Sequence, residues 1–583
     1  MSEVSVAVRR PLRSASWFGA PDRQGFVHRI AVHQLGLPID VVDGSRPVIA
    51  IANTWSELNP CNSGLRDVAE AVKRGVWEAG GVPLEMPVMS LGEPYMRPSS
   101  MLFRNQLAME TEELLRANPV DGAVLLGGCD KTVPGLLMGA VSVDLPAVMV
   151  TTGPMLDGEA CGQPLGSGTD VWRLTEDARR GVLAADALAA AEAGLARSPG
   201  HCMTMGTAST MSCLTEALGL TLPGGASIPA VDRARLALAH RAGRLAVAMV
   251  VADRRPSALL TAASFRNAIV VNAAIGGSTN AVLHLLALAG RAGVVLALDD
   301  IDRVGRDVPL LVDLKPSGRF LMGAFHTAGG LAAVIAALLV GGCLDGDAAT
   351  VTGGSLADSY TGAPTWNREV IGTVDAPIRP PSRTTVLRGN LVPQGAVVKV
   401  SAATPELLTH RGPALVFDSI DEYLVAAADP ALDVTADTVL VVRNLGPIGY
   451  PGMPELGNLP LPVAVAARGV TDMVRISDAR MSGTAYGTVV LHAAPEAAVG
   501  GPIALVRTGD VIELDAAAGS LRVELTDDEL AERRAAWRPP PVPPEEQRGW
   551  VRLYREHVMQ ADTGCDLDFL VGCSGAAVPK RSF

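Results

Sequence analysis

The sequence predicts an α/β protein in which an N-terminal α/β domain with a largely parallel sheet precedes a C-terminal domain of short strands. From Val48 to about Val374, short apolar runs alternate with helical periodicity, as in βαβ units. After the proline-containing segment Asp375–Arg383, short apolar runs separated by turn residues are typical of a β-barrel or a compact sandwich. A chain of 583 residues is long enough for two domains. We therefore expect one domain over residues 1–378 and a second over residues 379–583.

One βαβ unit is clear in the N-terminal half. Ala123–Leu126 is predicted to be a buried strand, a helix is predicted from about Val133, and Ala147–Val150 is predicted to be the next strand. Ligands of parallel sheets bind beyond the carboxyl ends of the strands. The residues at that position after the first strand are Cys129, Asp130 and Lys131.

Two further cysteines are predicted to precede helices. A helix is expected after Asn62 and Ser63, so Cys61 lies just before its start. Cys202 precedes a helical stretch that extends to about Leu218. Because helix N-termini stabilise thiolates, these positions suit cysteines that act as anions.

The C-terminal half is predicted to be built mainly from short strands. A proline-rich stretch, Pro539–Pro544, then leads to a tail. The predicted strands are Ala396–Val400, Ala414–Phe417, Val439–Val442, Ile503–Val506 and Leu521–Leu525.

Charge and hydropathy exclude several classes of function. The net charge of −12 disfavours nucleic-acid binding, because several phosphates would need a basic surface. Met1–Ser14 carries scattered arginines without an apolar core, which predicts no secretory signal and a cytoplasmic location. The apolar run Thr327–Leu344 is near the lower length limit for a membrane span. Its Ala- and Gly-rich composition instead predicts a buried core helix, so we expect no membrane partner.

The eight cysteines do not form a local metal-binding pattern. A disulfide framework is disfavoured without a signal peptide, and the chain has no Cys-x-x-Cys pair. Any metal site must therefore be assembled from distant segments. Three such segments combine a cysteine with oxygen ligands: Asn59–Asn62, Gly127–Thr132 and Gly200–Gly206.

A single cysteine is more often a small buried residue than a ligand. The glycine-flanked loops around these three cysteines favour the functional interpretation. In Gly127–Lys131, a soft thiolate and a hard carboxylate stand on adjacent residues, which suits iron and magnesium respectively.

Four long stretches carry a resemblance to a known family: Gly127–Pro134 (GGCDKTVP), Gly200–Met211 (GHCMTMGTASTM), Gly449–Glu455 (GYPGMPE) and Asp478–Gly487 (DARMSGTAYG). With them, essentially the whole chain resembles the dihydroxy-acid and sugar-acid dehydratase family, and within it the L-arabinonate type. The resemblance implies a C-terminal β-barrel-like domain with flanking helices. It also implies an active site between the domains, near the interface of a homodimer or homotetramer.

The same resemblance implies two cofactors. Cys61, Cys129 and Cys202 would hold a [2Fe-2S] cluster, and because a cluster held by protein alone takes four thiolates, one iron would be left open as a Lewis acid. The second cofactor would be Mg²⁺. Its ligands would be Glu93, Asp130, Glu455 and a carbamylated Lys131, since carbamylation turns an ammonium into an anionic oxygen ligand.

The resemblance also implies roles for two hydroxyl residues and a reaction. Ser482 would act as an alkoxide base that removes the C2 proton, while the C3 hydroxyl leaves to give a 2-keto-3-deoxy sugar acid. Thr484 would help to position the substrate. Taken alone, a Ser-Gly pair in a loop is usually only a turn, so this role depends on the resemblance.

Other candidate residues receive structural interpretations. His201 and His326 could be general acids, but without a partner each is better interpreted as a histidine of the core or of an outer ligand shell. Gly64 stands where relatives usually have histidine, which leaves the surroundings of the cluster open. The cysteines that match no cluster motif, and are expected to be structural, are Cys161, Cys213, Cys343, Cys565 and Cys573.

Two alternative functions remain open at this point. A dihydroxy-acid dehydratase of branched-chain amino-acid biosynthesis performs the same chemistry on a smaller, more apolar substrate. A non-catalytic iron-sulfur protein would keep the cysteines, but it would need neither Ser482 nor the magnesium ligands.

Overall fold

The structure is a computed structural model that describes residues 11–160, 162–179, 181–381, 384–456 and 459–581, so Cys161 lies outside the described residues. Its strands are numbered along the chain. They are β1 Val48–Asn53, β2 Val82–Pro87, β3 Gly122–Gly127, β4 Ala147–Thr151, β5 Gly158–Ala160, β6 Gln163–Leu165, β7 Pro309–Leu310, β8 Arg379–Pro381, β9 Thr384–Leu387, β10 Gly395–Lys399, β11 Thr409–Phe417, β12 Val439–Val442, β13 Arg475–Ser477, β14 Val489–Ala494, β15 Val511–Asp515 and β16 Ser520–Val523.

The α-helices are numbered in the same way. They are α1 Ala15–Phe18, α2 Arg23–His33, α3 Leu65–Glu78, α4 Arg104–Ala117, α5 Thr132–Val143, α6 Thr169–Arg179, α7 Ala185–Leu195, α8 Thr207–Ala217, α9 Arg233–Ala252, α10 Pro256–Leu259, α11 Ala262–Ala274, α12 Asn280–Ala292, α13 Leu298–Gly305, α14 Met322–Thr327, α15 Gly330–Val340, α16 Leu356–Tyr360, α17 Ile420–Ala427, α18 Val463–Ala466, α19 Asp527–Ala536 and α20 Gly549–His557.

The N-terminal sheet is parallel, with strand order β2-β1-β3-β4. β1, β3 and β4 are continuous apolar runs that are buried along their whole length, as expected for strands covered by helices on both faces. The predicted βαβ unit is confirmed as β3, α5 and β4. Because β1, β3 and β4 run parallel, the residues that follow each strand lie at the same edge of the sheet.

The C-terminal sheet has the strand order β16-β15-β11-β12-β13-β14-β10-β9. β11 to β14 pair in parallel, whereas the outer strands pair antiparallel. The two ends of the sheet meet at Arg388, whose N–H donates to Gly519 O at 2.8 Å and whose carbonyl accepts from Leu521 N at 2.9 Å. The sheet is therefore a nearly closed barrel, which confirms the barrel-like prediction.

The prediction of a strand over Ile503–Val506 was wrong. Pro502–Leu505 forms a 3₁₀ turn in which Ala504 N donates to Gly501 O at 2.9 Å. Pro502 has no N–H for a strand ladder, and its fixed φ suits the first residue of a helical turn. A short apolar run identifies burial but not the type of secondary structure.

The apolar run Thr327–Leu344 contains helix α15, whose inward residues are fully buried, as predicted. Within the described ranges, we find no helix with the length and apolar character that crossing a membrane requires.

The C-terminal tail returns to the N-terminal helices. Arg104 on α4 donates to the carbonyl oxygens of Gly564 at 2.9 Å and Cys565 at 2.8 Å. Arg291 on α12 forms an ion pair with Asp566 at 2.6 Å. On the barrel side, Gln560 Nε2 of the tail donates to Glu496 Oε1, directly after β14, at 2.8 Å. The tail thus joins the barrel to the N-terminal helices.

Candidate active site

Two cysteine loops meet at the carboxyl edge of the parallel sheet. Cys61 follows β1 and Cys129 follows β3. The side chain of Asn62 joins these loops, because its Oδ1 accepts from Gly128 N at 3.0 Å and its Nδ2 donates to Thr54 Oγ1 at 3.0 Å. The sheet and one asparagine therefore place the first two cysteines side by side.

The third cysteine reaches the same edge through a backbone pairing. His201 N donates to Gly153 O at 3.0 Å and Met155 N donates to His201 O at 2.8 Å, directly after β4. The pKa of the Cys61 thiol is well above its ordinary value, first through a side-chain hydrogen bond with Cys129, then through burial and the charges of Cys129, Asp130 and Cys202. The structure thus brings the three predicted cysteines into one group.

Two hydroxyl groups surround the sulfur of Cys202. Ser167 Oγ lies 2.8 Å from Cys202 Sγ, and Thr204 Oγ1 lies 3.0 Å from it. Burial raises the pKa of the Cys202 thiol, and the hydrogen bonds from Ser167 and Thr204 oppose that shift. These contacts favour the thiolate that metal binding requires.

The four predicted magnesium ligands also converge. The Lys131 ammonium is fully buried, and its Nζ lies 2.8 Å from Glu455, 3.4 Å from Asp130 and 3.5 Å from Glu93. Burial and nearby Arg480 lower the pKa of Lys131, but the three carboxylates outweigh them and raise it above its ordinary value. Among the described residues, no group of three or more His, Cys, Asp and Glu side chains has an arrangement that could hold a metal ion. The Lys131 ammonium instead lies among the three carboxylates.

Glu455 is held by two residues besides Lys131. Asn280 Nδ2 donates to Glu455 Oε1 at 2.7 Å, and Arg480 Nη1 donates to the same oxygen at 2.7 Å. Arg480 is fully buried and also donates to Met453 O at 2.7 Å and Ser99 Oγ at 3.0 Å. Glu455 is therefore oriented by donors from both halves of the chain.

Ser482 and Thr484 lie on a loop between the cysteine group and the carboxylate group. The two side-chain oxygens are 2.8 Å apart, and Thr484 N lies 3.4 Å from Ser482 Oγ. On one side, Thr169 Oγ1 donates to Thr484 O at 3.0 Å, two residues after Ser167. On the other side, Asn280 Nδ2 donates to the carbonyl oxygen before Ser482 at 3.2 Å while it also binds Glu455.

Glycine allows the close packing of this loop. At Gly168, where φ is +86°, a Cβ atom would lie 2.3 Å from Thr484 Oγ1, and at Gly206 it would lie 2.9 Å from Thr484 Cγ2. Larger residues at either glycine would displace Thr484. Gly64, by contrast, faces open space, since no atom of the described residues, apart from its immediate chain neighbours, lies within 4 Å of a Cβ built there.

A cavity of about 940 Å³ reaches Glu455. Aromatic side chains of Trp172, Tyr450 and Tyr486 line it, together with the apolar face of α17. The volume is at the upper end of the range for small-molecule sites. A small ligand can approach the carboxylate group through this cavity.

The sequence of this chain is similar to known dehydratases over nearly its full length. Residues 46–359 match the N-terminal domain of the dihydroxy-acid/6-phosphogluconate dehydratase family, and residues 369–565 match its C-terminal domain. The chain belongs to this family. It is therefore a hydro-lyase, and the resemblance identified from the four sequence stretches is confirmed.

Three similar proteins are named as dehydratases of different substrates. An L-arabonate dehydratase of Azospirillum brasilense is 55% identical over 99% of this chain and 100% of its own length. A 6-deoxy-6-sulfo-D-gluconate dehydratase of Pseudomonas putida is 50% identical over 98% of each chain. A dihydroxy-acid dehydratase of Aeropyrum pernix is 40% identical over 96% of this chain and 99% of its own length.

Several residues that contact the predicted site residues were not singled out from the sequence. They are Arg480, Asn280, Ser167 and Thr204, of which Arg480 and Thr204 stand inside the family stretches. Asn280 begins α12 directly after Gly276–Thr279, a loop signal that could have drawn attention to it.

The two histidines considered as acids have partners other than Ser482 and the carboxylates. Burial lowers the pKa of His201 to about 4, and its Nδ1 lies 3.1 Å from Cys202 O. His326 Nδ1 lies 3.1 Å from Ser227 Oγ. Of the described cysteines without a cluster motif, Cys213 and Cys565 are buried, Cys343 is half-buried and Cys573 is exposed.

Proposed function

We propose that this chain is a sugar-acid dehydratase, which converts an aldonate of the L-arabinonate type into a 2-keto-3-deoxy acid. The observation that carries the proposal is the position of the Ser482 loop, between a group of three cysteines and a group of three carboxylates. Relatives that act on sugar acids, at 50% and 55% identity, support this substrate class over a branched dihydroxy acid, whose dehydratase is 40% identical.

The donor sets suit the two cofactors expected for the family. We propose that Cys61, Cys129 and Cys202 hold a [2Fe-2S] cluster. We propose that Mg²⁺ is held by Glu93, Asp130, Glu455 and carbamylated Lys131. When bound, the two groups supply Lewis acidity to the departing hydroxyl and to the substrate carboxylate.

Charge links the proposed carbamylation of Lys131 to metal binding. The buried ammonium now offsets three carboxylates that lie within 3.5 Å of it. Carbamylation would replace this positive charge with a negative one and leave four anionic groups together. Arg480, which pairs with Glu455 at 2.7 Å, offsets one of these charges, and a further cation is needed to balance the rest, so modification and metal binding are expected to occur together.

The groups around Ser482 suit the proposed role of this residue as a base. A deprotonated Ser482 Oγ would accept hydrogen bonds from the Thr484 hydroxyl at 2.8 Å and from Thr484 N at 3.4 Å. Donors aimed at a developing negative charge stabilise it. Asn280 and Arg480 meanwhile keep Glu455 in one orientation, and Ser482 takes the C2 proton of the substrate.

A substrate panel tests the proposed function. Enzyme purified without oxygen would be assayed for 2-keto acid formation from L-arabinonate, other aldonates, 6-deoxy-6-sulfo-D-gluconate and 2,3-dihydroxy-3-methylbutanoate. We expect kcat/KM for an aldonate to exceed that for the branched acid by at least about tenfold, since aldonate hydroxyls offer hydrogen bonds that the branched acid lacks. A preference for the branched acid would support the alternative dehydratase. An iron-sulfur protein without turnover would support the non-catalytic alternative.

We also propose that the enzyme is a homodimer or homotetramer, as the family resemblance implies. Size-exclusion chromatography with light scattering tests this, and a monomeric mass in active enzyme would contradict it.

A further inference from the structure

The segment Gly166–Thr169 lies directly over one cysteine of the site. Ser167 Oγ is 2.8 Å from Cys202 Sγ, and Thr204 Oγ1, which is fully buried, is 3.0 Å from the same sulfur. The side-chain hydrogen bond of Cys61 is instead with Cys129, another thiol. Cys202 therefore stands among oxygen donors, and Cys61 among sulfur atoms.

The hydrogen-bond directions change when Cys202 loses its proton. In the thiol form, Cys202 Sγ donates to Ser167 O at 2.9 Å. A thiolate has no proton to donate and attracts hydroxyl protons strongly. Ser167 Oγ also lies 2.9 Å from Met203 Sδ, but a neutral thioether is the weaker acceptor. In the metal-bound state, both hydroxyls are therefore expected to donate to Cys202.

We propose that Ser167 and Thr204 are positioning residues that tune the cluster through Cys202. Hydrogen bonds to a ligand sulfur draw electron density from it, which favours the reduced cluster and makes the attached iron a stronger Lewis acid. This inference rests on the proposed function, because it requires the cluster. The two hydroxyl groups would change the reduction potential of the cluster through Cys202, without contacting the substrate.

The test measures the midpoint potential of the cluster in the full-length protein. Ser167→Ala and Thr204→Val remove one hydroxyl each, and Ser167→Thr keeps it. Iron and acid-labile sulfide are determined first, and the potential is then obtained by optical titration with redox dyes. We expect wild-type cluster content, a shift to more negative potential in both hydroxyl-free variants, a larger shift in the double variant, and a near-native value for Ser167→Thr.

A matched control uses a serine near another cysteine. Ser63 is two residues from Cys61, but its Oγ donates to Pro60 O at 3.0 Å. Ser63→Ala should leave the potential unchanged.

The outcomes separate this inference from the proposed function. Wild-type protein without iron and sulfide would overturn both. Cluster-loaded Ser167→Ala and Thr204→Val proteins with wild-type potentials would overturn the tuning role alone. Loss of the cluster from both variants would also overturn it, because the hydroxyls would then be needed to hold iron and not to tune it.

Discussion

Lys131 shows how a single buried charge depends on its surroundings. Its ammonium has no exposed surface and is stabilised by three carboxylates from separate parts of the chain. Removing one member of a buried charge group leaves the others without compensation, which typically costs about 3–5 kcal/mol.

The first prediction concerns this residue in the metal-free protein. Lys131→Met keeps the length of the side chain and removes its charge, so the free energy of unfolding should fall by about 3–5 kcal/mol. Urea unfolding at neutral pH measures the change. Lys73→Met is the control, because Lys73 is 26% exposed in its pairs with Glu70 and Glu85, and surface pairs are worth about 1 kcal/mol or less. Equal losses of stability in the two variants would contradict the stabilising role of the buried Lys131 ammonium.

The second prediction tests the two-metal site through metal removal. Exhaustive chelation of divalent cations should abolish turnover without bleaching the visible absorbance of the iron-sulfur cluster, because the carboxylates and the cysteines form separate groups. Added Mg²⁺ should restore turnover. Activity that survives chelation would contradict the need for a divalent cation at the carboxylate group.

The third prediction concerns Ser482. Ser482→Ala removes the proposed base with little change in volume, so the fold and the metals should be retained. Loss of a positioned base typically lowers kcat by about 10²–10⁴-fold, with a smaller effect on KM. The variant should also fail to exchange the C2 proton with deuterated solvent. If exchange continued at the wild-type rate, Ser482 would not be the base, and His201 or His326 would need to be reconsidered.

Two buried carboxyl groups hold the loops that carry Glu455 and Ser482. Glu496, after β14, accepts from Ile448 N at 3.0 Å and Gly449 N at 2.7 Å. Asp478, after β13, accepts from Leu445 N at 2.9 Å and Ala497 N at 2.9 Å. Burial and the nearby Asp478 raise the pKa of Glu496 to about 7, although its hydrogen bonds oppose the shift.

The fourth prediction follows from this raised pKa. The folded protein holds the Glu496 proton more tightly than the unfolded chain, whose pKa is near 4.5. The stabilisation is therefore complete below about pH 4.5 and is lost as the pH rises through about 7, by an amount on the order of 3 kcal/mol. As the pH rises from 5 to 8, the free energy of unfolding of the wild type should fall relative to that of Glu496→Gln, which urea unfolding measures.

A second glutamate provides the control for this pH dependence. Glu529 caps the exposed start of α19, where hydrogen bonds lower its pKa. It is ionised in both the folded and unfolded states above pH 5, so Glu529→Gln should differ from wild type by a constant amount. A constant difference for Glu496→Gln as well would contradict the raised pKa.

The C-terminal tail is joined to the N-terminal helices through a buried ion network. Arg291 binds Asp566 at 2.6 Å, Glu112 at 3.2 Å and Ser142 Oγ at 2.9 Å. Arg291 and Asp566 are almost completely buried. The network therefore couples the position of the tail to α4, α5 and α12, which pack behind the site.

The fifth prediction tests this coupling. Arg291→Met should destabilise the protein by about 3–5 kcal/mol, because it removes the cation that pairs directly with two buried carboxylates. Amide hydrogen exchange in the tail around residues 561–574 should also increase. Arg552→Met is the control, because its pair with Glu556 is exposed and should contribute less than about 1 kcal/mol. Unchanged exchange in the tail of Arg291→Met would show that other contacts hold it.

Local sequence patterns were sufficient for much of the fold and for part of the site. The βαβ periodicity placed Cys129, Asp130 and Lys131 after a buried strand, because apolar runs and glycine breaks act over a few residues. The division of the chain near residue 378 stays a prediction. The roles of Ser482 and of the metal ligands came from the family resemblance and not from spacing.

The other features of the fold and of the site depend on contacts between residues that are distant in the sequence. The parallel centre of the barrel has no signal that a short apolar run could carry. Asn280 and Arg480 meet at Glu455, and Ser167 meets Cys202, only after folding. The raised pKa of Glu496 has the same origin, since burial and neighbouring charge are properties of the packed chain and not of local sequence.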